Sequence, residues 1–353
     1  MGGNMIRIAI IGTGGMAQDH AAKFQAIRGV KLTACCDIVE ERAQAFSEKW
    51  KVPAVYTDYR ELLAKEQLDG VAVVTPDNVH APIAWAAVNK GLATLCEKPF
   101  TITLSEARRL RNLARKRGVP NMVNFSKRNF AALDGAAKCV ARGALGELRH
   151  VEASYLQNWL TLGCWENQSA WLWRMSSDYS MGVLGDLGAH SLDMLQLLCG
   201  AIGSVSCDLG WFDKGLKGNR VDEYKLDAND NFSAHVRLKN GATGVVHASR
   251  WATGHPNREY IQVSGTKGAI EVDLGADTNH YRFYSTAAAR PWRKVPHKEV
   301  ACKTPPTMQQ RFIKWIKSGV ADPCDFANAT AVQACLVACL QSAEEQRSVK
   351  TRL

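Results

Sequence analysis

The stretch IRIAIIGTGGMAQDH, Ile6 to His20, runs from a short apolar segment through a glycine turn into polar residues with helical spacing. An apolar run without alternation reads as a strand buried on both faces, the habit of parallel sheets. Gly12, Gly14 and Ala17 then stand at the G-x-G-x-x-A spacing. Small residues at these points let the chain turn tightly and bring its backbone close to a pyrophosphate, which the amides at the start of the next helix bind. A purely structural turn would also use glycine, but it would not require a strand before it and a helix after it. Gly12, Thr13, Gly14, Gly15, Met16 and Ala17 are therefore candidate contacts of a dinucleotide. The next apolar run, VKLTACC, ends in Asp37, at the distance where a carboxylate meets the adenosine ribose. A carboxylate there accepts ribose hydroxyls and repels a 2′-phosphate. The following IVEE supplies no cation before Arg42, so NAD is the expected cofactor.

Outward from this turn, the runs GVAVV, LATLC and PNMVNF alternate with helical patterns such as APIAWAAVNKG as far as about residue 124. The expected class is α/β, beginning with an N-terminal doubly wound parallel sheet of the Rossmann type. After Phe130 the grammar changes. A helix from Ala131 to Arg142 and a strand LRHVEASYLQ precede a tryptophan-rich loop and a helix over Gly182 to Cys199. Two segments of period 2 follow, NFSAHVRLKNGATGVVHASRW and EYIQVSGTKGAIEVDL, each folded at a glycine-bearing turn. The spacing predicts a C-terminal α+β domain on an open, mostly antiparallel sheet, closed by two helices. At 353 residues the chain exceeds the usual single core. The division falls at residues 1–125 and 126–353.

Composition narrows the functional classes. No unbroken run of about 18 apolar residues occurs, so no membrane span is expected. The N-terminus leads directly into the first strand without the pattern of a secretory signal, which points to the cytoplasm. Eleven scattered cysteines include no C-x-x-C pair and sit mostly among apolar neighbours, so neither a disulfide framework nor a metal is expected. The formal charge of +10 raises an acidic partner. Its densest basic run, EARRLRNLARKRG, reads instead as a surface helix capped by Gly118, and no nucleic-acid motif accompanies it.

Two further stretches carry chemistry. LATLCEKPF places Glu97, Lys98 and Pro99 at the carboxyl end of a parallel strand, the edge where open α/β sheets bind ligands; a solvated ion pair is the plainer reading. In GVLGDLGAHSLDML, Gly182 to Leu195, helical spacing gathers Asp186, His190 and Asp193 opposite Leu184, Leu187, Leu195 and Leu198. That second face is either wet or a site.

Together GTGGMA, TPDNVH (Thr75–His80), CEKPF and GDLGAH, with Asp193 after it, resemble the Gfo/Idh/MocA oxidoreductases in order and spacing, over nearly the whole chain. The resemblance implies a catalytic set of Lys98, Asp186 and His190, with Lys98 touching both cofactor and substrate. It implies that Thr75 and Pro76 border the cofactor, that His80 lies near the nicotinamide, and that Glu97 contacts its nicotinamide side. It also implies C-terminal helices returning toward the first domain and a homo-dimer or homo-tetramer formed through the second domain's sheet. Where many sugar-active members read F-N-Y-R, this chain has FSKRN, Phe125–Asn129, so the floor of the substrate pocket departs from theirs.

The YLQNWL start of the segment YLQNWLTLGCWENQSAWLWRM resembles the branch of levoglucosan and glucoside dehydrogenases. Trp159, Trp165, Trp171 and Trp173 form either core or a wall for pyranose C–H faces, while Gln157, Asn158, Asn167 and Arg174 offer partners for hydroxyls. With an unperturbed pKa of about 6.5, a histidine such as His190 can take an alcohol proton as hydride leaves. The expected function is NAD-dependent oxidation of a secondary ring hydroxyl of a sugar, anhydro-sugar, glycoside or cyclic polyol. The alternatives are a redox glycosidase with tightly bound NAD and a non-enzymatic dinucleotide sensor, which would not need the catalytic set.

Overall fold

The protein is described by a computed structural model covering residues 5–163 and 169–352. Two compact units emerge, one formed by residues 1–125 and 306–330, the other by residues 126–305 and 331–353. The second region expected over residues 126–353 thus gives up residues 306–330 to the first unit.

In the first unit, strands β1 (Ile6–Ile11), β2 (Val30–Cys36), β3 (Ala54–Tyr56), β4 (Gly70–Val73), β5 (Ala93–Cys96) and β6 (Asn121–Val123) form one parallel sheet. Its order is β3-β2-β1-β4-β5-β6, so the winding reverses between β1 and β4, where such sheets bind ligands beyond the strand ends. Strand β3, absent from the sequence reading, is a three-residue edge too short to show a period. The central strands β4 and β5 are wholly buried, which is why they read as continuous apolar runs. Helices α1 (Gly15–Gln25), α2 (Glu40–Trp50), α3 (Tyr59–Lys65), α4 (His80–Asn89) and α5 (Leu104–Arg117) alternate with the strands. The basic run proves to be α5, started by a reciprocal capping box between Thr103 and Glu106 and ended at Gly118.

The second unit contains β7 (Leu148–Leu156), β8 (Ile202–Gly210), a two-strand ladder of β9 (Arg220–Val221) and β10 (Tyr224–Lys225), β11 (Asn231–Leu238) and β12 (Thr243–Ser249). It continues with β13 (Arg258–Gly265), β14 (Gly268–Asp273), β15 (His280–Ser285), β16 (His297–Ala301) and β17 (Val349–Lys350). Nine of these strands make one open sheet, β16-β15-β14-β13-β7-β12-β11-β8-β17. Its pairings are antiparallel except that between β7 and β12. Both predicted hairpins are present, as β11–β12 and β13–β14. Their alternating burial puts one face of the sheet inside and the other toward solvent. Helices α6 (Ala131–Ala141), α7 (Ser169–Leu172) and α8 (Ala189–Cys199) belong to this unit, and α8 packs across β7, β12 and β13.

At the C-terminus, α9 (Met308–Ser318) lies in the first unit, where Phe312 meets Phe24 of α1 edge to face at 6.4 Å between ring centroids. The last helix, α10 (Phe326–Glu345), begins in the first unit and ends in the second. By length and composition it could cross a membrane, with mean hydropathy 1.3 over an 18-residue window, although it holds no unbroken apolar run. Interspersed Asn, Thr and Gln break the run without lowering the average enough. With 61% of that window buried, its apolar residues are placed as those of a core helix are.

Candidate active site

In the first unit the glycine turn joins β1 to α1 at the sheet's reversal point. Gly12 has φ +92°, and a Cβ there would collide with the Val74 carbonyl of the neighbouring strand end. Gly14 and Gly15 are different, for a Cβ on either would meet nothing within 4 Å. The protein itself therefore does not require glycine at these two positions, whereas a ligand lying against bare backbone would. The first turn of α1 carries no acidic side chain and its N-cap has no side-chain hydrogen bond, leaving amides and the positive dipole end for an anion. Asp37 ends β2 beside this loop, its Oδ2 accepting from the Thr13 amide at 2.8 Å and the Thr13 hydroxyl at 2.9 Å. Thr75 follows β4 with a buried hydroxyl that has no partner among the described residues. The bare loop, the uncapped helix and the orphaned hydroxyl fit a dinucleotide.

Two of the predicted residues in this unit also bind parts of the protein itself. His80 is buried, and its ring nitrogens span the Pro99 carbonyl at 2.8 Å and the Thr75 carbonyl at 2.9 Å, stapling two strand-end loops together. Glu97 turns inward. Its Oε1 accepts from His20 Nε2 at 2.8 Å and Asn124 Nδ2 at 2.6 Å, and its Oε2 accepts from the Lys98 amide at 3.2 Å. Burial alone would raise this carboxyl, but the hydrogen bonds and attraction of His20, Asn124 and Lys98 outweigh it and hold the group at about 2. Lys98 itself is half-buried, and the Lys98–Pro99 bond is cis.

In the second unit, the predicted helix opens with a π-helical turn over Leu184–Gly188 before α8 continues it. Asn229 organises this start: its Oδ1 accepts from the Leu184 amide and its Nδ2 donates to the Met181 carbonyl, both at 2.9 Å. Gly188 lets the Phe232 ring close on the turn, where a Cβ would lie 2.8 Å from the ring. Asp186 and His190 leave this widened turn toward the end of the sheet that bears Leu156, Ser249 and Arg258, which are register partners. Arg250 Nη2 donates to Asp186 Oδ2 at 2.8 Å, and Arg174 Nε lies 3.8 Å from the same oxygen. The Arg250 guanidinium is fully buried over the Trp159 ring, and Arg174 stacks on Trp173 and Trp171 at 4.4 and 5.3 Å. Tyr155 meets His190 at 6.1 Å between ring centroids. The Tyr155 hydroxyl accepts from Lys127, which is also 2.9 Å from Glu259, and donates to Asn257. Burial pushes the Tyr155 hydroxyl up, while Glu259 holds the Lys127 ammonium above its ordinary value despite burial.

Comparison with known proteins decides the family. A sequence model of an oxidoreductase family with an NAD-binding Rossmann fold matches residues 6–125, and the GFO/IDH/MocA C-terminal domain model matches residues 134–271. The chain belongs to the GFO/IDH/MocA family. Among its relatives, the levoglucosan dehydrogenase of Pseudarthrobacter phenanthrenivorans is 26% identical over 81% of this chain and 82% of that protein. The myo-inositol 2-dehydrogenase of Thermotoga maritima is 30% identical, covering 77% of each. Levoglucosan dehydrogenase in complex with NADH and levoglucosan shares the fold, with TM-score 0.88 and 23% identity over 99% of this chain and 100% of the other.

The predicted site residues sort by unit. Gly12, Thr13, Gly14, Gly15, Met16, Ala17, Asp37, Thr75, Pro76, His80, Glu97 and Lys98 fall in the first; Gln157, Asn158, Trp159, Trp173, Arg174, Asp186 and His190 fall in the second. Asp193, expected on the polar face, is buried in a bidentate pair with Arg128 at 2.8 and 2.6 Å, so it holds α8 in place. Gln157 spends its amide internally, donating to Asn257 and accepting from the Trp159 indole, both at 2.8 Å. Cys164, Trp165 and Asn167 lie outside the described residues. Trp159 packs against a small core of Leu160, Leu172, Met175 and Leu226, so the indole serves core as well as wall. Arg250, Tyr155 and Glu259 were missed. Tyr155 and Glu259 sit on the inward parity of their strands, after Ala153 and before Ile261, and Arg250 continues that of β12 one residue past its end, after Ala248; a polar residue keeping an apolar strand's inward phase was the available signal.

Proposed function

We propose that this protein is an NAD-dependent dehydrogenase that oxidises a secondary ring hydroxyl of a sugar, anhydro-sugar, glycoside or cyclic polyol, with Lys98, Asp186 and His190 as its catalytic groups. The observation that carries the reading is the buried His190 imidazole, one turn after an Asp186 carboxylate gripped by Arg250 and flanked by indoles. NAD, when bound, supplies the hydride acceptor. His190 takes the proton of the reacting hydroxyl, so that the alcohol carbon loses hydride and becomes a carbonyl. Lys98 hydrogen-bonds the oxygen as negative charge develops on it. Asp186, held by its arginine, orients His190 or accepts from an adjacent hydroxyl. A linear alcohol would leave Asp186 and Asn158 unmatched in a desolvated pocket, at about 1–3 kcal/mol for each unmet partner.

The sugar and polyol names of the relatives support this substrate class. We further infer a homo-dimer or homo-tetramer, supported by the solvent-facing side of the open sheet. A reducing cytoplasmic setting is supported by ten free thiols among the described residues, nine of them buried. We assign no nucleic-acid or membrane partner. On α5, Arg109 stacks on Trp85 and Arg117 bonds Asn89, and α10 spends most of its apolar surface inside.

NAD and NADP reduction is assayed at mildly alkaline pH with levoglucosan, methyl glucosides, free hexoses, myo-inositol and linear alcohols. We expect NAD to be preferred and cyclic polyols to outrun linear alcohols, with Lys98→Ala and His190→Ala each losing roughly 100-fold in turnover. Activity confined to linear alcohols would overturn the reading. Release of an aglycone without accumulating NADH would replace it with the redox glycosidase.

A further inference from the structure

Beneath the E-K-P turn lies a buried polar network that no part of the proposed chemistry uses. His20 comes from α1, Glu97 from the end of β5, Asn124 from just beyond β6 and Gln309 from α9, all within the first unit. His20 and Gln309 are fully buried, Asn124 is 1% exposed and Glu97 6% exposed. Glu97 is the hub. One of its oxygens takes His20 at 2.8 Å and Asn124 at 2.6 Å, while the other takes the Lys98 backbone amide at 3.2 Å. Gln309 Nε2 lies 3.2 Å from His20 Nδ1, which brings α9 into the network.

We propose that His20, Asn124 and Gln309 are positioning residues which, through the Glu97 carboxylate, fix the peptide that carries Lys98 and so aim its ammonium at the reacting hydroxyl. The physical case rests on cost and placement. Four buried polar side chains, one of them ionised, are a poor way to fill space, because well-packed apolar residues of similar volume hold a fold at least as well. What apolar residues cannot do is grip a backbone N–H, and the one gripped here belongs to the lysine. His20 also lies on the helix that begins at the glycine loop. One rigid set of bonds therefore links that helix, the lysine turn and α9. A displacement of about 1 Å at a reacting group can lose roughly 100-fold in rate, so a network of this kind has a measurable duty.

The inference rests on Lys98 being catalytic, and the experiment separates the two claims. Turnover of the fastest cyclic substrate in the panel is measured for His20→Leu, His20→Gln, Lys98→Met and the His20→Leu/Lys98→Met double variant. We expect His20→Leu to lose about 10- to 100-fold in kcat, with the Kd for NAD and the KM changed less than about 3-fold. His20→Gln, which keeps a donor for Glu97, should regain most of the loss. In the Lys98→Met background, His20→Leu should subtract little further, because both changes act through one group. Reductive 13C-methylation supplies a readout free of substrate, in which the dimethyl-Lys98 resonance, identified by its loss in Lys98→Met, moves in His20→Leu. Gln309→Met, which removes only the outermost bond, stands in if His20→Leu fails to fold and should move the resonance in the same direction. Full kcat in His20→Leu, an equal loss in the Lys98→Met background, or an unmoved resonance would overturn the proposal while leaving Lys98 catalytic. Near-normal turnover in Lys98→Met would remove the functional reading itself, and the network's role with it.

Discussion

Asp193 and Asp186 lie seven positions apart and looked equivalent in the sequence, yet their partners divide their roles. Asp193 is 1% exposed and meets the Arg128 fork with both oxygens, a buried bidentate pair. Asp186 is partly exposed and gives one oxygen to Arg250. Removing one member of a buried pair strands the other charge, which typically costs about 3–5 kcal/mol, whereas replacing both with apolar residues of similar volume is often neutral. Arg128→Met should therefore destabilise the protein by that order in denaturant melts, and Arg128→Met/Asp193→Leu should recover most of it with turnover retained. Loss of turnover in a stable double variant would add Asp193 to the catalytic set. The spacing of these residues was legible, but which of two helical carboxylates faces an arginine depends on segments far away in the chain.

Elements show where pattern reading works and where it stops. The β1–Gly12–α1 turn was read correctly because its demands are local: a strand, a positive φ and a helix start within a dozen residues. The π-helical opening of α8 was not, because it depends on Asn229 and Phe232, which arrive from some forty residues later. The two glycines of the cofactor turn also separate folding from binding. Gly12→Ala must place a Cβ against the Val74 carbonyl at φ +92° and should lower the melting temperature markedly. Gly14 has φ −68° and open space around its Cβ position, so Gly14→Ala should melt like the unaltered protein while its NAD affinity falls. Thermal melts paired with NAD titration test this, and undiminished affinity in Gly14→Ala would remove the backbone cradle.

Across the whole molecule the thiols report on the first unit and its cofactor. Cys35, Cys36, Cys96 and Cys324 are buried there, and burial pushes the first three thiols up. Alkylation of these residues needs the unit to open, and a ligand at about 100 times its Kd stabilises the native state by about 2.7 kcal/mol. Pulsed alkylation read by mass spectrometry should therefore find these four labelled roughly 100-fold more slowly with saturating NAD. Half-buried Cys302 should label fastest among the described cysteines with or without it. Unchanged labelling of the four would place the cofactor elsewhere. The parallel sheet, the glycine loop, Asp37, the E-K-P turn and both hairpins could be read from order and period, because backbone geometry repeats every two or 3.6 residues and leaves its mark on neighbours in the chain. The inward turn of Glu97 onto His20 and Asn124, the bond from Gln309 to His20, the arginine on Asp186 and the Lys127–Tyr155–Glu259 cluster left no such mark. Buried polar groups are satisfied by whichever partners the fold brings within about 3 Å, and those partners stand as many as 289 positions apart.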